Sequence, residues 1–208
     1  MKLFNRDAGA APPKRPNGRV GLGLLLIGTG RAAGFAQFGA TPEAFLASLA
    51  PLLGFLIVLC GLLAWSSRPL AGLMVFLTLL CCLLAPPVIA DLFCRLWQRR
   101  QHWALYANVL NCAQWLMLAA LLLLLPLASL GVSLGLPLDQ VSRLTMAAFG
   151  LYVMWFHWFT ARHVLDLSPL RALLVMLAVV FGTGLLLQAP VLLSGKPATD
   201  MFVPTPPH

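Results

Sequence analysis

The sequence predicts an all-α polytopic membrane protein: five transmembrane helices, an N-terminal interfacial helix, a cytoplasmic N-terminus and an external C-terminus. Three observations carry that prediction. The chain of 208 residues is 60% hydrophobic and only 10% charged, where a soluble domain carries roughly a quarter charged residues. Such a chain cannot cover itself with polar surface, so lipid must be its main solvent. Apolar runs of the roughly 20 residues that cross a bilayer core recur along it. Its Lys and Arg residues, which give a formal net charge of +8, gather in alternate loops.

The first run, residues 45–65, is opened by Thr41-Pro42-Glu43. That is a helix start, with Thr as N-cap, Pro at the first position and an acid in the first turn. The second run covers 70–92 and holds Pro86-Pro87 in its inner third. The third, 103–125, ends in LLLLLP. The fourth, 141–160, is the shortest, and the fifth, 170–193, is broken by Pro190. The apolar segment 127–140 reads as an outer loop lying at the membrane interface.

Loop charges set the direction. Lys2, Arg6, Lys14, Arg15, Arg19, Arg31, Arg95, Arg99, Arg100, Arg162 and Arg171 fall on one side, and Arg68, Arg143 and Lys196 on the other. The positive-inside rule puts the richer side in the cytoplasm, and an even number of spans would mix the two groups. In a soluble chain this charge would suggest nucleic acid, but no nucleic-acid-binding motif is present and no such partner is expected.

Residues 20–38, VGLGLLLIGTGRAAGFAQF, allow three readings. A signal peptide is loosely matched, but cleavage near Ala36 would reverse every loop against the charge pattern. A nucleotide loop over Gly28, Gly30 and Gly34 has the wrong spacing, and no βαβ unit follows. A helix on the inner membrane surface, with Arg31 at the headgroups, or a loop there, is the expectation for residues 20–40. The tails, 1–19 and 194–208, are rich in Pro, Gly and charge and are expected to be disordered. Lys14, Arg15, Arg19 and Arg31 then form a basic membrane surface for anionic lipid headgroups.

Five cysteines, Cys60, Cys81, Cys82, Cys94 and Cys112, lie in or beside apolar runs with no CxxC pair. They read as small buried side chains, with no disulfide framework, metal site or cofactor expected. Neither GxSxG nor HExxH occurs, so no enzyme is expected.

Polar residues can be placed by depth. Asp91 and Arg95 form an i, i+4 pair near the inner surface, and Arg162 and Asp166 repeat that spacing. Asn108, Asn111 and Gln114 follow Trp103 at about 7 to 17 Å along the third span. His157 lies about 8 Å from the inner end of the fourth, between Phe156 and Trp158. Haem or metal ligation lacks a second ligand at that depth, since His102 and His163 lie at the surface, and two other readings stay open for it. One is an aromatic belt with an imidazole reaching the headgroups or a neighbouring amide. The other is an inner polar pocket of Asp91, Arg95, Asn108, Asn111, Gln114, His157 and Arg162.

Thr41-Pro42-Glu43-Ala44-Phe45 before the first span and Trp158-Phe159-Thr160-Ala161-Arg162 closing the fourth are similar to segments of small uncharacterised proteobacterial integral membrane proteins. The five-span layout resembles the Yip1-type membrane proteins. That resemblance implies a non-catalytic role in membrane organisation or as an assembly or accessory subunit of the bacterial inner membrane. A membrane-protein partner or a homo-oligomer would follow, with Gly54, Gly61, Gly72, Gly182 and Gly184 permitting close helix contacts. The alternative is a small transporter or channel, or a subunit of one, using the polar cluster in the inner halves of spans two to four.

Overall fold

The computed structural model describes residues 19–65 and 69–194. Residues 1–18, with Lys14 and Arg15, residues 66–68, with Arg68, and residues 195–208 lie outside the described residues. Among the described residues all regular secondary structure is helical: α1 (Val20–Gly28), α2 (Pro42–Trp65), α3 (Pro69–Leu96), α4 (Trp103–Ser133), α5 (Leu138–Val164) and α6 (Pro169–Ser194). Four stretches are long and apolar enough to cross a membrane, Pro42–Leu62, Gly72–Leu96, Arg100–Ser133 and Pro169–Pro190. Large apolar side chains such as Ile57, Val88, Leu123 and Phe181 are exposed along them. The chain therefore has the build of a multi-pass membrane protein, whose lipid-facing side chains have no reason to be polar.

The helix boundaries follow local chemistry. Thr41 caps α2, its Oγ1 accepting the Ala44 N–H at 3.2 Å, as its position before Pro42 and Glu43 predicts. The third span does not stop at Pro126. It runs to Ser133, so part of the expected loop 127–140 is two further turns of α4. A proline removes one donor and crowds the preceding turn, which a long helix can absorb. α5 is 27 residues long, so length is not what sets it apart, contrary to the expectation of a short span. Tyr152, Trp155, His157, Trp158 and two threonines lower its apolarity, and it is absent from the four stretches above.

Four helix ends close in the same way. Gly30 (φ 82°), Gln98 (φ 55°), Gly135 (φ 92°) and Asp166 (φ 51°) adopt the left-handed conformation. In each case the next residue's N–H reaches back five residues: Arg31 to Leu26, Arg99 to Cys94, Leu136 to Gly131 and Leu167 to Arg162, at 2.7 to 3.2 Å. This is the Schellman closure, which satisfies carbonyls that a helix end leaves unpaired.

α2 to α6 run alternately up and down. One end, the basic end, gathers Arg95, Arg99, Arg100, Arg162 and Arg171. Neighbours pack in the order α2, α3, α6, α5, α4 and back to α2, closing a ring, and α3 also packs against α4. The half of the ring near the basic end is tightly filled. Ala90, Tyr106, Ala107, Val109, Phe156, Ala161, Ala172 and Val175 have no exposed surface there. The alanines let backbones approach closely, and Tyr106 and Phe156 fill the space between.

Residues 20–38 depart from the expected surface helix. α1 is only nine residues, about 13 Å at 1.5 Å per residue. The chain turns at Gly30 and doubles back through a short 3-10 helix, Ala32–Gln37. The two arms touch through glycines: a Cβ on Gly34 would lie 2.6 Å from the Gly23 carbonyl oxygen, and one on Gly23 2.7 Å from the Phe38 ring. The hairpin lies against α4 and α5. Ile27 is fully buried, a Cβ on Gly28 would meet Leu116 at 3.1 Å, and the Tyr152 hydroxyl is 3.4 Å from the Gly28 carbonyl oxygen. Two apolar arms rather than one amphipathic face explain the difference: a hairpin buries both against a neighbour.

Candidate functional site

The seven residues expected to share an inner pocket divide into three groups. Asp91 and Arg95 pair as expected, with Nε donating at 2.7 Å, and Arg100 adds a contact at 3.8 Å. This cluster lies at the basic end with both arginines well exposed. Arg162 does not pair with Asp166. α5 ends at Val164 and Asp166 turns away through its positive φ, where its Oδ2 accepts from Arg99 Nη1 at 2.8 Å. Arg162 instead lies over the Trp158 ring, 5.4 Å from its centroid.

Asn108 and Asn111 are buried, but they act as fasteners. The Asn108 Nδ2 donates to the Gly39 carbonyl at 2.9 Å, and the Asn111 Nδ2 to Ser48 Oγ at 3.2 Å. Together they tie the segment after the hairpin, and the first turns of α2, to α4. Trp103 does the same for α3, donating from Nε1 to the Pro87 carbonyl at 2.8 Å.

His157 and Gln114 are brought together with residues the sequence did not single out. A cavity of ≈ 610 Å³ lies inside the ring, lined by side chains from all five long helices. That volume is within the range of about 300–1,000 Å³ common for small-molecule sites. Helix periodicity arranges its lining in tiers about 6 Å apart. The floor, against the packed half, includes Leu110, Pro86, Val179 and His157. One turn above lie Gln114, Cys82 and Thr183. The rim, toward the far end, is Leu59, Leu79, Leu118, Phe149 and Leu187, and it is wholly apolar. No Asp, Glu, Lys or Arg lines the cavity.

Two polar atoms in this lining are buried without a hydrogen-bond partner, His157 Nδ1 and Thr183 Oγ1. Buried polar atoms are nearly always partnered; with almost no accessible surface of their own, both need a small turn of the side chain to meet a partner in the cavity. Cys82 Sγ makes only a weak contact to the Thr183 carbonyl at 3.9 Å. The hydroxyls of Tyr106 and Thr160 are also buried and unpartnered, but they belong to the packed half and do not line the cavity.

The aromatic residues of α5 explain how His157 comes to face inward. Tyr152, Trp155, Phe159 and His163 follow each other at three- or four-residue steps and form one ladder. Trp155 stacks on Phe159 at 5.3 Å and Phe159 meets His163 at 4.3 Å between ring centroids. Phe35 of the hairpin covers this ladder, 5.8 Å from Phe159. With that face held by the hairpin, Phe149, Val153, Phe156 and His157 fall on the cavity side. His157 is thus not part of an outward aromatic belt. The histidine in the aromatic stack is His163, whose Nδ1 is 2.9 Å from the Phe159 carbonyl oxygen.

Among the described residues no three His, Cys, Asp or Glu side chains converge as they would to hold a metal ion. No family model matches the chain, and neither a curated protein nor a solved structure matches it.

Proposed function

We propose that this is a non-catalytic, multi-pass protein of the bacterial inner membrane that binds a small molecule within the bilayer, in the cavity of its helix ring. α5 acts as a fifth span, and the basic end faces the cytoplasm and its anionic lipid headgroups. The observation that carries the binding role is the pair of unpartnered buried atoms, His157 Nδ1 and Thr183 Oγ1, beside a cavity that no charged side chain lines. The packed half below the floor argues against a continuous channel and for a binding site or one conformation of a carrier. The concentration of Arg95, Arg99, Arg100, Arg162 and Arg171 at one end supports the orientation.

Native mass spectrometry of the protein released from lipid nanodiscs tests this reading. The wild type is expected to retain a small molecule that is absent from a His157→Phe, Thr183→Val double variant. A wild type that carries nothing beyond bulk phospholipid, in the same amount as the double variant, would sink it.

A second reading, an assembly or accessory subunit, as a Yip1-like role would imply, is favoured by one face of α2. Gly54, Ile57, Val58 and Gly61 share that face, both residues between the glycines are well exposed, and a Cβ on either glycine would meet nothing within 4 Å. Small residues one heptad apart let a second helix approach closely. Gly54→Leu with Gly61→Leu should then dissociate a complex isolated in mild detergent. An unchanged complex would leave the face as ordinary lipid-exposed surface.

A further inference from the structure

We infer that the occupant of the cavity is an uncharged amphiphile, a long apolar chain ending in a hydroxyl or carbonyl group, bound with its head at the floor and its chain toward the rim. The inference rests on the binding role proposed above and adds the chemical class and direction of the ligand.

Three features of the lining point this way. The first is charge. No acidic or basic side chain lines the cavity, and an ionised head brought there would be left without a counter-charge in a medium that solvates it poorly. The second is the arrangement of polar atoms. His157, Gln114, Trp115, Cys82 and Thr183 occupy the lower two tiers, and Leu59, Leu79, Leu118, Phe149 and Leu187 at the rim are apolar. An amphiphile oriented the other way would set its chain against the imidazole and its head against leucines. The third is the kind of unpartnered atom. Imidazole Nδ1 donates or accepts according to tautomer, and the Thr183 hydroxyl does either by rotation. A hydroxyl or a carbonyl head can therefore partner either atom.

Below the head the way is closed. Tyr106, Phe156, Ala161 and Val175 have no exposed surface, so the ligand enters from the rim and its chain remains there. A whole phospholipid is a poor fit, because its charged head would meet either the uncharged floor or the apolar rim.

The test uses the full-length protein in nanodiscs of zwitterionic phospholipid. The probe is hexadecanol carrying a diazirine near the middle of its chain, and labelled positions are read by peptide mass spectrometry. Label is expected on rim residues such as Leu59, Phe149 and Leu187. Unlabelled hexadecanol should compete, and hexadecanoate and hexadecyltrimethylammonium should compete at least about tenfold less well. His157→Phe with Thr183→Val should lower labelling about tenfold, the worth of roughly one hydrogen bond to a buried group. His157→Gln, which keeps a hydrogen-bonding side chain, should label as the wild type does.

The outcomes separate the two proposals. Equal competition by hexadecanoate overturns the uncharged head while leaving the cavity as a binding site. Label at the floor, on Leu110 or Val179, overturns the direction. Equal loss of label in His157→Gln and the double variant means that the imidazole acts by packing, and the inference fails. If none of the probes labels the lining, the binding role fails with it.

Discussion

Arg99 Nη1 donates to Asp166 Oδ2 at 2.8 Å, joining two loops whose residues are 67 positions apart in the chain. Gln98, next to Arg99, and Asp166 itself have left-handed backbone conformations. The pair thus exists because α3 and α5 both end in the same closure and present their next residues to one another at the basic end. Its side chains are 37% and 75% exposed, so solvent screening limits it to less than about 1 kcal/mol. Asp166→Gly loses the ion pair but relieves the positive φ, worth up to about 1 kcal/mol. Its thermal unfolding midpoint in detergent should therefore lie near the wild type, and that of Asp166→Leu clearly below. Equal loss in both variants would mean that the ion pair outweighs the backbone.

The hairpin makes opposite demands on neighbouring glycines. Gly34→Val drives a side chain into the Gly23 carbonyl, where a Cβ alone would be 2.6 Å from oxygen, and should cost about 1–3 kcal/mol. Gly21→Ala meets nothing within 4 Å and should gain a few tenths to 1 kcal/mol from helix propensity. Unfolding midpoints that move in the same direction would contradict the packing of the two arms.

Asn108→Leu removes the donor to the Gly39 carbonyl and should destabilise by about 1–3 kcal/mol. Because that bond holds the link between the hairpin and α2, limited proteolysis after Arg31 should accelerate in parallel. Faster cleavage with unchanged global stability would show that the asparagine holds only the link.

Placing α5 across the membrane has a direct check. In a background without the native cysteines, a single cysteine at Gly135 and one at Asp166 should react with an impermeant thiol reagent from opposite sides of sealed vesicles. Reaction of both from one side would remove the fifth span.

Much of the architecture was legible in the sequence, because it depends on neighbours in the chain. Apolar runs located the long helices, Thr41 and the residues after it set the start of α2, and Asp91 and Arg95 pair because four residues make one helical turn. The second i, i+4 pair, Arg162 with Asp166, failed where the helix stops short of it. Local spacing carries a contact only while the helix continues.

What only the tertiary structure decided is which face of each helix meets which neighbour. Asn108, Asn111 and Gln114 are close together on α4, yet two fasten the N-terminal segment and the third lines the cavity. His157 and His163 are less than two turns apart, yet one faces the cavity and the other the hairpin. Each of these assignments depends on a rotation about a helix axis, and in a chain apolar on nearly every side no amphipathic stripe fixes that rotation. It is set by long-range packing: the Gly30 turn folds the hairpin onto the aromatic ladder of α5, and that contact leaves His157 inside the ring.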